Sequence, residues 1–205
     1  MSNRKLLVGS ANKGKIIEIR EALTGLPLEI VRPEDFGITE EPQEHGNTYA
    51  ENALEKARFY FARSGVATLA DDSGIIVDAM KNELGIHTRR WGAGKEATDK
   101  EWIDYFLKRI ERETNRRARF ICTLAFIEEN GNEHLFEGTC NGVITPTLEA
   151  SFLPGLPISA CFKPDGYTQV YSALSIEQKN STSHRGRALQ SFRTFLEQES
   201  TQKTK

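Results

Sequence analysis

The chain has 205 residues, enough for one α/β domain with a sizeable buried apolar core. Its formal net charge of −2 excludes a general basic field for nucleic acid or an anionic membrane, so any phosphate ligand must be bound by local charges. No apolar run reaches membrane-spanning length and no secretory signal is visible, which predicts a cytosolic protein. The odd number of widely spaced cysteines, namely Cys122, Cys140 and Cys161, predicts reduced and packed thiols.

The first segment of interest is KLLVGSANKGK, residues 5–15, in which an apolar strand runs into a small polar loop. Gly9 and Gly14 would let the backbone approach an anion, and Lys15 begins a helix whose N-terminus carries partial positive charge. The spacing G-x-x-x-x-G-K nearly matches a P-loop, but Ile16 stands where a Ser or Thr would ligate magnesium. The segment predicts a phosphate site, and a P-loop kinase or NTPase is one alternative.

Apolar periodicity predicts a helix over residues 13–26 and a strand over residues 28–31. Residues 32–47 are rich in Glu, Gln, Gly and Pro and predict an irregular loop. A capping box, formed by Thr48 and Glu51, then opens a helix predicted to end near residue 64.

The second half of the chain predicts further strands and helices. They are a buried strand over residues 66–71, a helix to about residue 113 that opens with a capping box of Thr98 and Glu101, a hairpin of residues 119–128 and 134–144, and a helix from Ser183 to about residue 197. With the first half, this order indicates an α/β fold.

Two adjacent carboxylates, Asp71 and Asp72, follow the strand predicted over residues 66–71. Open α/β sheets bind their ligands at the carboxyl ends of strands. Because adjacent residues of an extended chain point to opposite sides, only one carboxylate can face a given cleft. We predict that Asp72 faces the cleft and Asp71 braces the turn. The alternative is a turn that needs these residues only for its backbone.

A second oxygen ligand for a metal is available in the polar loop, where Glu40, Glu41 and Glu44 lie close together. Magnesium takes one or two carboxylates together with phosphate oxygens and waters. One of these glutamates with Asp72 would suffice, although an acidic loop is more often simply solvated.

Further candidate cations for a phosphate ligand are Lys56, Lys179, His184 and Arg185. Ser183 is predicted to cap a helix whose first turn carries His184 and Arg185, charges that oppose the helix dipole. This arrangement predicts an external anion that compensates them. The alternative is the start of an ordinary surface helix.

Four motifs, taken in order, resemble those of the inosine triphosphate pyrophosphatase family, also called the Ham1 or dITP/XTP pyrophosphatase family. They are Ser10-x-Asn12-x-x-Lys15, Thr48-x-x-Glu51-Asn52-Ala53-x-x-Lys56-Ala57, Ala70-Asp71-Asp72-Ser73-Gly74 and Ser183-His184-Arg185. Each motif alone is weak, but four in this order and spacing are specific, and the resemblance covers nearly the whole chain.

The resemblance implies a magnesium-dependent enzyme that hydrolyses deaminated purine nucleoside triphosphates, such as ITP, dITP and XTP, to the monophosphate and pyrophosphate. It implies an elongated mixed β-sheet with flanking helices, two lobes around a central active-site cleft, a single domain over residues 1–205 and a homodimer. By position, the triphosphate would be held by Ser10, Asn12, Lys15 and Lys56. Glu44 and Asp72 would bind Mg²⁺, with Asp72 also activating the water. Ser73, Lys179, His184 and Arg185 would contact the substrate.

One segment departs from the family's pattern. Members carry an aromatic-Gly-Tyr-Asp-Pro stretch whose aromatic and Asp read the purine, whereas this chain has GLPISACF at residues 155–162. Counting back from Pro164 places Ser159 at the Asp position and Leu156 at the aromatic. The sequence therefore predicts an altered base preference, and a non-catalytic nucleotide-binding member is a second alternative. Arg89 adds a further cation of unassigned role.

Overall fold

The computed structural model describes residues 4–80, 83–94 and 96–202 of the chain. Within these residues six strands form one open mixed sheet: β1 (Arg4–Val8), β2 (Leu28–Val31), β3 (Thr68–Val77), β4 (Arg117–Ile127), β5 (Glu133–Ile144) and β6 (Phe162–Pro164). The strand order is β2-β1-β3-β4-β5-β6. β2, β1 and β3 run parallel, whereas β3 to β6 pair antiparallel. The predicted mixed sheet of an α/β fold is confirmed.

Five α-helices are described: α1 (Lys13–Ala22), α2 (Tyr49–Ser64), α3 (Asp99–Ile110), α4 (Ile176–Thr182) and α5 (His184–Gln202). The predicted capping boxes at the starts of α2 and α3 are present, and the hydroxyl of Ser183 accepts a hydrogen bond from the backbone of Gly186 at the start of α5. α1 and α3 end three or four residues earlier than predicted, and α4 was not predicted. No helix among the described residues is long and apolar enough to span a membrane.

The predicted hairpin is formed by β4 and β5. Ile127 pairs with Glu133 at its closed end. Gly131 adopts a φ of 88° and donates its backbone N–H to Glu128 O at 2.9 Å. Glycine populates such positive φ values without the steric penalty of a side chain, and this explains the tight connection.

The predicted end of the third strand is wrong. β3 does not stop at the two aspartates but continues through them to Val77, because β4 pairs with it from Thr68 to Val77. The ladder with β4 therefore outweighs the turn preference of the Asp-Asp-Ser-Gly stretch. On its other side β3 pairs with β1 only as far as Leu69 among the described residues. A gap in the sheet thus opens beside Asp71 and Asp72, at the carboxyl end of β1.

Alternation along the strands divides the core between the two faces of the sheet. One face buries a cluster shared with α1 and α5, which includes Ile19, Leu69, Leu124 and Phe192. The opposite face buries a cluster against α2 that includes Ala53, Ala57, Ala70 and Ala125. Because successive side chains of β3 point to opposite faces, Asp71 lies on the same face as Leu69, which packs with α1 and α5. Asp72 lies on the same face as Ala70, which packs with α2.

A third cluster fills the other end of the sheet, where Trp102 and Phe106 of α3 pack with Ile75 and Phe162. Residues 71–74 of β3 therefore lie between two apolar regions, one around Leu69 and Ala70 and the other around Ile75. The three cysteines are free and buried, as predicted. The organisation of residues 1–205 as one two-lobed domain stays a prediction.

Candidate active site

Asp72 lies at the centre of a polar group on the α2 face of the sheet. Its side chain is buried, with Asn52 Nδ2 donating to Asp72 Oδ2 at 3.2 Å and Lys56 Nζ lying 3.1 Å from Asp72 Oδ1. Asn52 and Lys56 are one turn apart on α2, and Asn52 is fully buried against the site. Both side chains of this helix therefore orient the same carboxylate.

Burial raises the pKa of the Asp72 carboxyl above its ordinary value, and the nearby Glu44 carboxylate adds to this rise. Lys56, Lys15 and the hydrogen bond from Asn52 act in the opposite direction. A carboxylate whose pKa is raised accepts a proton more readily than an exposed one. The environment of Asp72 is therefore suited to a general base.

Glu44 and Asp72 converge on one positive charge. Lys56 Nζ lies 2.8 Å from Glu44 Oε1 and 3.1 Å from Asp72 Oδ1, whereas Glu40 lies 3.9 Å from the exposed Arg63. Two carboxylates that share a single cation offer the oxygen ligands that a divalent ion such as Mg²⁺ takes. Their arrangement fits Mg²⁺, and it favours Glu44 over Glu40 as the second ligand.

The protein groups near this position do not form a complete metal cage. In the described ranges no group of three or more His, Cys, Asp or Glu side chains is placed to hold a metal ion. A site with two carboxylates leaves coordination positions for phosphate oxygens and waters, the arrangement that Mg²⁺ adopts with nucleotides.

Asp71 belongs to a separate ion-pair network on the opposite face of the sheet. Lys15 Nζ lies 3.1 Å from Asp71 Oδ2, and Arg185 Nη2 lies at the same distance from that oxygen. Arg185 also contacts Glu18 and donates to Ser73 Oγ at 3.0 Å. Burial alone would raise the pKa of Asp71, but Lys15 and Arg185 outweigh burial and hold it well below its usual range. The carboxylate is therefore charged throughout the physiological range.

The expectation of an external anion at the start of α5 needs correction. The Arg185 side chain is only 2% exposed, and its charge is compensated internally by Asp71 and Glu18. His184 is buried, and this desolvation, followed by the repulsion of Arg185, lowers its pKa well below the ordinary value. His184 is therefore neutral at pH 7 and needs no anion.

The loop between β1 and α1 is held by protein contacts. Asn12 Oδ1 accepts from the Lys15 backbone N–H at 3.1 Å, and Asn12 Nδ2 donates to Gly155 O at 3.0 Å. Ser10 Oγ accepts from the Asn12 backbone N–H at 3.2 Å. These bonds fix the first turn of α1 and the position of Lys15.

The two glycines of this segment serve packing. A Cβ on Gly9 would collide with the ring of Tyr60, and one on Gly14 would lie 2.7 Å from Pro154 O and 2.8 Å from the Leu156 side chain. The glycines thus admit neighbouring protein groups, which is a different reason for their presence from the close anion approach predicted from the sequence.

A cavity of about 150 Å³ adjoins the Asp71 network. It is lined by Glu18, Ser151, Phe152, Leu153, Leu156, Ser159, Tyr171, Ser172, Lys179, Ser183 and His184. The segment that resemblance assigns to base reading therefore contributes Leu156 and Ser159 to one cavity with Lys179 and His184. The lining residues that were not predicted are Glu18, Ser151, Phe152, Leu153, Tyr171 and Ser172. The side chain of Arg89 lies outside the described residues.

Comparison with known proteins identifies the family. The Ham1 family is matched over residues 6–195. The chain is 34% identical to the dITP/XTP pyrophosphatase of Leptospira interrogans, with 94% of this chain and 97% of that protein covered. It is 37% identical to the dITP/XTP pyrophosphatase of Desulforamulus reducens, with coverage of 94% and 95%. The solved structure of a HAM1 protein from Coxiella burnetii superposes with a TM-score of 0.81 at 31% identity and covers 95% of this chain and 99% of that one. The chain belongs to the Ham1 family.

Proposed function

We propose that the protein is a nucleoside triphosphate pyrophosphatase, a hydrolase that cleaves a nucleoside triphosphate to the monophosphate and pyrophosphate. One observation carries the proposal: in a Ham1-family chain, Glu44 and Asp72 converge on one cation position. The curated relatives are dITP/XTP pyrophosphatases, which supports deaminated purine triphosphates as the substrate class.

In this proposal Glu44 and Asp72 hold Mg²⁺, which when bound neutralises phosphate charge. Asp72 accepts the proton of the attacking water as the α,β phosphoanhydride bond breaks and pyrophosphate leaves. Its raised pKa supports that role. Lys15 and Lys56 provide positive charge on the two faces of the sheet beside the gap, where the triphosphate would lie.

The remaining candidate residues surround the metal position and the adjoining cavity. Ser10 and Asn12 shape the loop that presents Lys15, and Ser73 and Arg185 are hydrogen-bonded beside Asp71. Lys179 and His184 line the adjoining cavity, which would receive the base. A homodimer and a cytosolic location remain predictions from the resemblance and the sequence.

A P-loop kinase or NTPase is less consistent with the structure. The glycines of residues 5–15 face protein groups. A P-loop requires its backbone to cradle phosphates. The family relationship also favours pyrophosphate release over transfer of a terminal phosphate.

Product analysis tests the proposal directly. The purified protein is incubated with ITP, XTP, GTP or ATP in the presence of Mg²⁺, and the products are separated by ion-exchange chromatography. Nucleoside monophosphate and pyrophosphate in equal amounts are expected. Nucleoside diphosphate with orthophosphate would support the P-loop alternative. Triphosphate binding without any product would support a non-catalytic member of the family.

A further inference from the structure

Three buried polar atoms at the cavity beside Arg185 have no hydrogen-bond partner in the described part of the chain. They are Tyr171 Oη, Ser172 Oγ and His184 Nδ1, and all three residues line the cavity. A buried polar atom without a partner loses its water contacts and gains nothing in return. Such atoms, gathered at one cavity, indicate a place where a ligand supplies polar groups.

Several other polar side chains of the cavity are already engaged by the protein. Tyr171 is packed in the apolar cluster that contains Phe162. The Ser159 hydroxyl donates to Leu156 O at 2.6 Å, and the Glu18 carboxylate contacts the Arg185 guanidinium. Ser159 at the predicted base-reading position is therefore turned toward its own loop. This distribution makes Ser172 and His184 the stronger candidates for contacts with a base.

The two candidates are held in place by their surroundings. The His184 ring stacks on Phe120 with centroids 4.6 Å apart and an interplanar angle of 14°. Ser172 lies in a short 3-10 turn, Tyr171–Ala173, in which the Ala173 backbone N–H donates to Val170 O at 3.0 Å. A hydroxyl on a hydrogen-bonded turn, next to the aromatic and apolar walls of the cavity, is suited to read the edge of a flat ring.

We propose that Ser172 is a specificity-determining residue whose hydroxyl hydrogen bonds to the polar edge of the purine base, with His184 Nδ1 beside it. The proposal rests on the proposed function, because it takes the cavity as the base site. A hydroxyl both donates and accepts. Ser172 would therefore favour a purine that carries an oxo or amino group at this edge over a purine that carries only hydrogen there.

The test compares Ser172→Ala with wild type on two triphosphates, ITP and purine riboside triphosphate, which lacks the 6-oxo group. We expect kcat/KM for ITP to fall about tenfold or more, the effect of losing one hydrogen bond from a buried site. The value for purine riboside triphosphate should stay within about twofold. Ser181→Ala is the matched control, because Ser181 is exposed on α4 and its hydroxyl bonds to Gln178 O.

Thermal unfolding and product binding separate recognition from a structural role. Ser172→Ala removes a hydroxyl that has no partner, so its Tm should not fall. Calorimetric binding of IMP should weaken in the variant even if turnover is absent. Equal losses on both triphosphates, or no loss of ITP activity and IMP affinity, would overturn the proposal. Absence of pyrophosphate from every triphosphate with wild type would instead count against the proposed function.

Discussion

Replacing Arg185 with Ala should destabilise the fold, because its guanidinium joins Asp71 and Glu18 beneath the site. Both the Arg185 and the Asp71 side chains are almost fully buried, at 2% and 1% exposure. The variant leaves Asp71 with Lys15 as its remaining cationic neighbour at 3.1 Å. Arg117 provides a matched control, since it forms a two-pronged pair with Asp165 at 2.8 Å on the surface.

The two ion pairs predict different losses of stability. Removal of one member of a buried pair typically costs about 3–5 kcal/mol. Because Lys15 remains near Asp71, we expect Arg185→Ala to lie toward the lower end, about 3 kcal/mol. The exposed Arg117 pair should contribute about 1 kcal/mol or less. For a chain of this length, about 2–4 °C of Tm corresponds to each kcal/mol, so the expected shifts are about 6–12 °C and at most about 4 °C.

Thermal and urea unfolding of wild type, Arg185→Ala and Arg117→Ala would measure these shifts. The pKa of Asp71 is depressed in the folded state. Its contribution to the free energy of unfolding is therefore fully present above the unfolded-state pKa of about 3.9 and is lost as the pH falls from there through the lower folded-state pKa. The difference in free energy of unfolding between wild type and Arg185→Ala should therefore become smaller at acidic pH. An Arg185→Ala loss no larger than that of Arg117→Ala would refute this account of the network.

Four further substitutions test the catalytic and binding roles. Asp72→Asn should retain the fold but lower kcat/KM about 10²-fold or more, and a folded variant with wild-type turnover would contradict the assignment of base and metal ligand. Lys15→Ala and Lys56→Ala should weaken binding of every triphosphate to a similar degree, because they act on phosphate charge that all bases share; inhibition by tripolyphosphate measures this effect, and a changed ranking of bases would argue against it. Because Ser159 replaces the acid of the base-reading segment, wild type should discriminate weakly among ITP, XTP, GTP and ATP, and Ser159→Asp should sharpen the preference for ITP or XTP in kcat/KM; a wild-type preference for ITP over GTP of several orders of magnitude would show that residues outside positions 155–162 distinguish these two bases.

Local signals in the sequence predicted much of the fold. The capping boxes at Thr48 and Thr98 and the turn after Ile127 depend on residues within four positions of one another, so their chemistry can be read directly. The length of β3 could not be read in this way. The Asp-Asp-Ser-Gly stretch favours a turn locally, and only its pairing with β4 keeps it extended.

The candidate site shows the same division between local and distant information. The motifs predicted that Asp72 and Lys56 belong to one substrate site, and the structure places their side chains in contact. The partners of Arg185 were missed, because Glu18 and Asp71 lie more than 100 positions away in sequence. Ser172 carries no motif, and only the cavity and the unpartnered hydroxyl draw attention to it.

Because β3 stays extended through the site, its alternating side chains give the two aspartates separate environments. Asp71 and Asp72 differ by one position, and this single step sends one carboxylate to Arg185 and the other to Lys56. Inserting or deleting one residue on β3 ahead of them would exchange the two faces and place the wrong carboxylate opposite each cation. The long ladder with β4, from Thr68 to Val77, therefore fixes the register that places each carboxylate opposite its own cation.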